Sequence, residues 1–233
     1  MKNLKFEAVI LAVGFVLLGL FIKSGLNNVS GNDRVVNVKG LAEMEVEANK
    51  VIWPLMYKDL GDNLITLYDN INSKNKTIVG FLNSKGITNE EITINAPEII
   101  DMQAERYNSN PAPYRYNITS VITVTSKKVS LVRKLISEQS ELLKQGIAIT
   151  GGDYRYNVVY EFTGLNSIKP GMIEEATKNA RSAAEKFAKD SESELGKIKS
   201  AYQGQFSIED RDANTPYIKR VRVVTTIDYS LEE

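Results

Sequence analysis

The stretch from 168 to 198, IKPGMIEEATKNARSAAEKFAKDSESELGKI, leaves this chain few folds to choose from. Met172, Ile173, Ala176, Ala180, Ala183, Ala184, Phe187 and Ala188 recur at helical steps, with Glu174, Glu175, Lys178, Arg181, Glu185 and Lys189 between them. That spacing predicts an amphipathic helix with one buried face. The face is rich in alanine, so the helix can lie very close to whatever it covers, as a helix laid flat on a sheet must. Pro170 stands where a first helical turn tolerates it, and Gly196 where a stop is expected.

The rest of the chain supplies the sheet. Val36 and Val38, then Ala42, Met44, Val46 and Ala48, alternate with polar residues, Glu43, Glu45 and Glu47 among them. This is the period of a strand with one wet face. The run VIWPLMY (51–57) continues as strand, with Pro54 at an edge or bulge because it cannot donate a ladder bond. Asp62 is the expected N-cap of a helix that buries Leu64, Leu67, Tyr68, Ile71, Ile78, Phe81 and Leu82 and stops at Gly86. Strand periodicity returns at 92–96 and 114–124, with the polar loop 103–113 making a hairpin of the two. A second helix carries Val129, Val132, Leu135, Ile136, Leu142 and Leu143 to Gly146. An aromatic-rich strand at 154–162 precedes the alanine-faced helix; a short strand (202–208) and a final one (221–229) come after it. The order is ββαββ-αβαββ, which predicts an α+β fold of mainly antiparallel sheet with long amphipathic helices packed on it.

Ahead of this domain, Lys2 and Lys5 precede the apolar run AVILAVGFVLLGLFI (8–22), closed by Lys23. At about fifteen residues the run is short for a full bilayer span and long enough for a signal-peptide core. No small-x-small cleavage site succeeds it, so the expectation is an uncleaved transmembrane anchor and linker at 1–31, with a removed signal peptide as the alternative and a buried helix as a third reading, and an extracytoplasmic domain at 32–233. The lysines before the run stay in the cytoplasm, and the domain after it is exported.

Chemistry is sparse. The chain has no cysteine and no histidine, which removes disulfides, thiolate and histidine metal sites, and Ser-His-Asp or Cys-His catalysis. With 29 basic and 29 acidic residues the net charge is zero, so no electrostatic footprint for nucleic acid is present. Asp210, Asp212 and Asn214 are spaced like the start of a calcium loop, but Thr215 and Val221 occupy the positions that need glycine and glutamate; a hairpin turn is the better reading. Glu43, Glu45 and Glu47 form a row that reads as a solvated face rather than a cation site. Adjacent Glu90 and Glu91 would point to opposite faces of a strand, and Gly151-Gly152-Asp153 reads as a turn. Tyr107, Tyr114, Tyr116, Tyr154 and Tyr156 interleave with Arg106, Arg115 and Arg155, a mixture suited to strand packing or a protein interface. The tetrapeptide YRYN at Tyr114 and again at Tyr154 has no flanking similarity and reads as coincidence. Asn28, Asn75 and Asn117 stand in N-x-Ser/Thr triplets. No catalytic, cofactor or metal residue is assigned.

The segments VNVKGLAEMEVEANKVIW (36–53), FLNSKGITNEEIT (81–93) and IEEATKNARSAAEKFA (173–188), with LGKI after the last, resemble the SIMPL-domain family. One departure is Ala48-Asn49, where many members carry Pro-Asp. The resemblance implies an α+β fold, an envelope location like that of periplasmic immunogenic proteins, self-association, and no established catalytic residues. The expected protein is therefore not an enzyme and needs no cofactor. It is a single-pass protein of a bacterial inner membrane, held by residues 8–22, with its C-terminal domain in the periplasm. It acts by homo-oligomeric assembly or by binding an envelope protein, not nucleic acid, in envelope integrity or stress response. The alternative is a carboxylate-dependent envelope hydrolase acting on glycans, which needs two acids about 5–10 Å apart across one cleft.

Overall fold

The computed structural model describes residues 4–29, 34–104, 113–151 and 154–232, and within the first helix the side chains of 8–24. The elements are α1 (Leu4–Val29), β1 (Val35–Glu47), β2 (Lys50–Gly61), α2 (Leu64–Ser84), β3 (Ile92–Ile94), β4 (Glu98–Asp101), β5 (Tyr116–Ser126), α3 (Val129–Glu138), α4 (Ser140–Leu143), β6 (Val159–Glu161), α5 (Leu165–Asp190), β7 (Glu194–Gln203), β8 (Ser207–Asp210) and β9 (Ile218–Glu232). The fold is α+β with antiparallel sheet, as the alternation of periods implies. The chain divides into two compact units, passing from one to the other within β1, α5 and β9 and in the connection between β7 and β8.

The larger unit comprises residues 42–174 and 205–223. Its spine is the antiparallel pair β2–β5, in unbroken register from Val51↔Ser126 to Gly61↔Tyr116. On the far side of β5, β3 and β4 add in turn; on the far side of β2, β6 adds at Lys50–Ile52. Beyond Ile52, among the described residues, that side of β2 meets no other strand, and Thr150 N–H donates to the Met56 carbonyl at 2.8 Å. Pro54, two residues earlier, faces the same way, so its missing N–H costs no ladder bond. Trp53, Leu55 and Tyr57 from β2, Ile118, Ile122 and Val124 from β5, and Leu67, Ile71, Ile78 and Leu82 from α2 share one core.

The smaller unit comprises residues 1–41, 175–204 and 224–233. In it β7 pairs antiparallel with the second half of β9, and β1 lies on β9's other side. Val38, Ala180, Ala184, Ile227 and Tyr229 form its core. The alanine face is decisive here: a Cβ on Gly40 of β1 would overlap the Ala176 carbonyl oxygen and the Ala180 amide nitrogen. Helix and strand touch backbone to backbone, an approach that only glycine and alanine allow.

Several local expectations are corrected. The N-cap of α2 is Asn63, whose side chain accepts from Ile65 N–H at 2.9 Å and Thr66 N–H at 3.2 Å; Asp62 instead accepts from the Arg115 amide at 2.8 Å. Helix α5 starts earlier than expected, so Pro170 lies inside it. It ends at Asp190, with Glu192 taking the left-handed turn at φ 52°, and Gly196 belongs to β7. Phe187 is exposed because the buried stripe runs strictly at every fourth residue, Met172, Ala176, Ala180, Ala184 and Ala188. The strand expected at 154–162 shrinks to β6, preceded by a 3-10 turn at Tyr154–Tyr156, since β2 offers it a partner only at Lys50–Ile52. The 103–113 loop and the Gly151-Gly152-Asp153 turn fall largely outside the described residues.

The side chains of α1 from 8 to 24 are all exposed. Among the described residues no helix is long and apolar enough to cross a membrane. The transmembrane helix expected at 8–22 is therefore not established by the fold: its apolar stretch gives way to Lys23 and Ser24 short of the ~20 residues a bilayer core requires.

Contrasting substitutions test the packing. Gly40→Ala should cost at least about 2 kcal/mol of stability because it forces α5 off β1. Gly80→Ala, where a Cβ meets nothing within 4 Å, should gain about 0.5–1 kcal/mol from helix propensity. Denaturant unfolding of the two variants checks both signs.

Candidate functional site

An apolar groove of about 280 Å³ opens in the larger unit between the first turns of α2 and the strand β4. Its walls are Leu64, Ile65 and Tyr68 on one side and Pro97 and Ile99 on the other; Ile71 and Ile118 form its floor. Asn63 capping sets the first helical residue at Leu64, and this phase turns Ile65 and Tyr68 outward while Leu67 and Ile71 go into the core. Ile65 is 75% exposed and Ile99 52%. Such residues make the groove a contiguous apolar patch and a candidate contact surface. Beside the groove, β4 pairs with β5 alone among the described residues, whose strands leave its outer edge open.

The ground under the groove is rigid. The buried Tyr57 hydroxyl shares its one proton between Asn75 Oδ1 at 2.8 Å and the Ile71 carbonyl at 3.1 Å. Burial raises its pKa, the Ser120 hydroxyl lowers it and the nearby Asp59 carboxylate raises it further, with a net upward shift. Asn75 also accepts from the Ser120 hydroxyl at 3.3 Å and is only 7% exposed. The Asn75 side chain is thus a core hydrogen-bond hub. The side chain of Asn28 lies outside the described residues.

Other residues singled out by the sequence are engaged locally. Glu43 pairs with Arg222 at 3.4 Å and Glu45 with Arg211 at 3.3 Å, so two of the three glutamates of the row meet arginine side chains. Asp212 Oδ1 accepts the amides of Asn214 at 2.8 Å and Thr215 at 2.9 Å, and Asp210 pairs with Lys219. This is the hairpin turn between β8 and β9. Arg115 binds Asp101 at 3.0 Å and lies over Tyr116, and Arg155 lies over Tyr156. Arg106 and Tyr107 lie outside the described residues. One YRYN tetrapeptide leads into a strand, the other into a 3-10 turn, so they are not copies of one motif. Among the described residues no group of three or more acids is placed to hold a metal ion.

Glu91 is the most perturbed carboxylate in this unit. Partial burial pushes its pKa up, but the Ser126 hydroxyl, the Thr88 amide and the Lys128 ammonium hold it down at about 2. Asp212 is held at about 2 as well, first by the Thr215 hydroxyl and then by the Asn214 amide. Asp101, Glu138 and Asp228 also shift downward, each through a hydrogen-bonding partner. A glycan-cleaving general acid needs the opposite shift, and each of these five carboxyls is stabilised as the anion.

The groove residues are only partly visible in the sequence. Leu64 and Tyr68 belong to the expected helix, but its periodicity places them on the buried side. Ile65 falls off the stripe, and Ile99-Ile100 is a consecutive apolar pair on a short strand; both are signals of apolar surface left over after the core is filled.

Comparison with protein families finds that the SIMPL family, described as a protein of unknown function (DUF541), matches residues 36–226. No curated protein matches the chain.

The Glu91 arrangement has a pH signature. Its folded pKa lies below the ordinary 4.5, so its contribution is complete above pH 4.5 and is lost as pH falls towards about 2. Glu91→Gln should be less stable than the parent at pH 7 and lose less stability across that window. Thermal unfolding between pH 7 and pH 2.5 measures the difference.

Proposed function

The chain belongs to the SIMPL family, and from that premise we propose that it is a membrane-tethered extracytoplasmic domain that works by binding, with the α2–β4 groove as the face on which copies of the chain meet. The observation that carries this reading is the exposed apolar wall of Leu64, Ile65, Tyr68 and Ile99 beside the edge of β4 that meets no strand among the described residues. Such a surface favours contact with another protein: burying a leucine- or isoleucine-sized side chain contributes about 1.5–3 kcal/mol. An open edge strand supplies directional backbone bonds at the same place.

Support for the tether comes from the apolar run at 8–22, led by Lys2 and Lys5. The side chains described there, Phe15 and Phe21 among them, lie exposed on a continuous helix, a state that hydrocarbon tolerates better than water. The lysines ahead of the run favour export of the domain to the periplasmic side of a bacterial inner membrane. A role in envelope integrity or stress response is consistent with that place.

Two measurements test the proposal. The mass of the full chain in neutral detergent, measured by sedimentation over a wide concentration range, should rise with concentration. Ile65→Asp combined with Ile99→Asp should weaken that association about tenfold or more while leaving the circular dichroism unchanged; a parent chain that stays monomeric throughout contradicts the assembly. In fractionated cells the full chain should sediment with membranes and resist alkaline extraction, and protease outside the cytoplasm should digest the domain. Recovery in the soluble cytosol contradicts the tether.

A further inference from the structure

A second hollow in the larger unit, of about 510 Å³, is different in character from the apolar groove. It opens between the end of β1 and the start of α3, and Glu47, Asn49, Lys127, Lys128, Arg133 and Tyr217 stand around it. The cations are not equivalent. Lys128 is committed to the fold, donating to the Gly86 carbonyl and to Glu91, both at 2.9 Å. Lys127 and Arg133 have no hydrogen bond or ion pair with any acceptor among the described residues.

Arg133 is nevertheless held in place. Its guanidinium lies 3.3 Å over the ring of Tyr217. That ring is itself set edge-on against buried Tyr160, at 6.1 Å and 72°, and the Tyr217 carbonyl accepts the Ala48 amide at 2.8 Å. Stacking occupies the face of the guanidinium and leaves the N–H donors around its edge unspent. A planar fork fixed in advance by an aromatic ring loses little freedom when it takes a two-oxygen acceptor. Lys127 adds a mobile point charge on the same hollow. Helix α3 begins there with no side-chain acceptor at its N-cap, which adds to the positive potential. Glu47 supplies the one opposing carboxylate among the residues lining the hollow.

We infer that this hollow is an oxyanion site: Arg133, braced on Tyr217, and Lys127 together bind a phosphate group. The inference is independent of the α2–β4 groove, whose residues lie elsewhere. A phosphate can reach the site as a free phosphorylated compound or as a lipid headgroup, and the chemistry at Arg133 is the same for both.

The test is a titration of the full chain in neutral detergent with inorganic phosphate at constant ionic strength, against chloride, read by calorimetry and by the shift in unfolding temperature. Phosphate should bind and stabilise where chloride does not. Arg133→Gln should weaken binding about tenfold or more, as loss of charge-assisted bonds does. Arg133→Lys should recover only part of the loss, because the fork is gone, and Lys127→Gln should weaken binding by a smaller factor. Glu47→Gln should tighten binding, a gain that a damaged fold cannot produce. Phosphatidylglycerol added to the micelles should displace phosphate if the natural source is a headgroup; a free phosphorylated compound as the source predicts no displacement, and both results require the site. A phosphate response no larger than that of chloride, or one equal in the parent, Arg133→Gln and Glu47→Gln proteins, overturns the inference.

Discussion

The uninterrupted ladder between β2 and β5 sets the position of nearly everything else in the larger unit. Each strand places its apolar residues on the face that α2 covers, so Trp53, Leu55, Ile122 and Val124 are removed from water together. A register slip of one residue would turn all of them outward. The ladder also fixes the surfaces that face away from the core. Ile118 of β5 forms the floor of the apolar groove, β4 hangs on β5 beside it, and the end of β5 delivers the chain to Lys127 and the start of α3. Both candidate surfaces are thus carried by the most regular part of the fold.

Two polar seams tie helices to that sheet where apolar packing alone would leave the chain free to slide. Tyr57, Asn75 and Ser120 link β2, α2 and β5 through hydrogen bonds inside the core. Glu91 collects Ser126, the Thr88 amide and Lys128, joining the turn before β3 to the end of β5. A buried polar group without partners is costly, and a fully partnered one specifies a single arrangement. In the smaller unit the corresponding device is steric: Gly40 and the alanines of α5 admit one close approach, which larger side chains would forbid.

The periods of the sequence carried most of the architecture. Alternation at 36–48 and 114–124, and the helical steps of α2 and α5, correspond to elements of the structure, because their buried faces are long and uninterrupted. What stayed hidden depended on neighbours far along the chain. Asn63 and Asp62 are both good caps, and only the bond from the Arg115 amide decides that Asp62 is engaged elsewhere. The tyrosines at 154–156 have strand propensity, but β2 offers no partner there. Arg133 and Tyr217 are 84 residues apart in number and stack on each other, a juxtaposition that no local spacing encodes. Ile65 lies off the expected helix stripe and Ile99 beyond the expected strand, and only the packing of β4 beside α2 makes them one surface.

The proposal that the apolar groove beside β4 receives a second copy of the chain is best tested where the contact would occur. A photoreactive amino acid placed at Ile99 of the full chain, and separately at exposed Glu185, should be irradiated in intact cells. The account predicts a covalent adduct containing a second copy of the chain from position 99 and none from position 185. No adduct from position 99, or the same products from both, would contradict it.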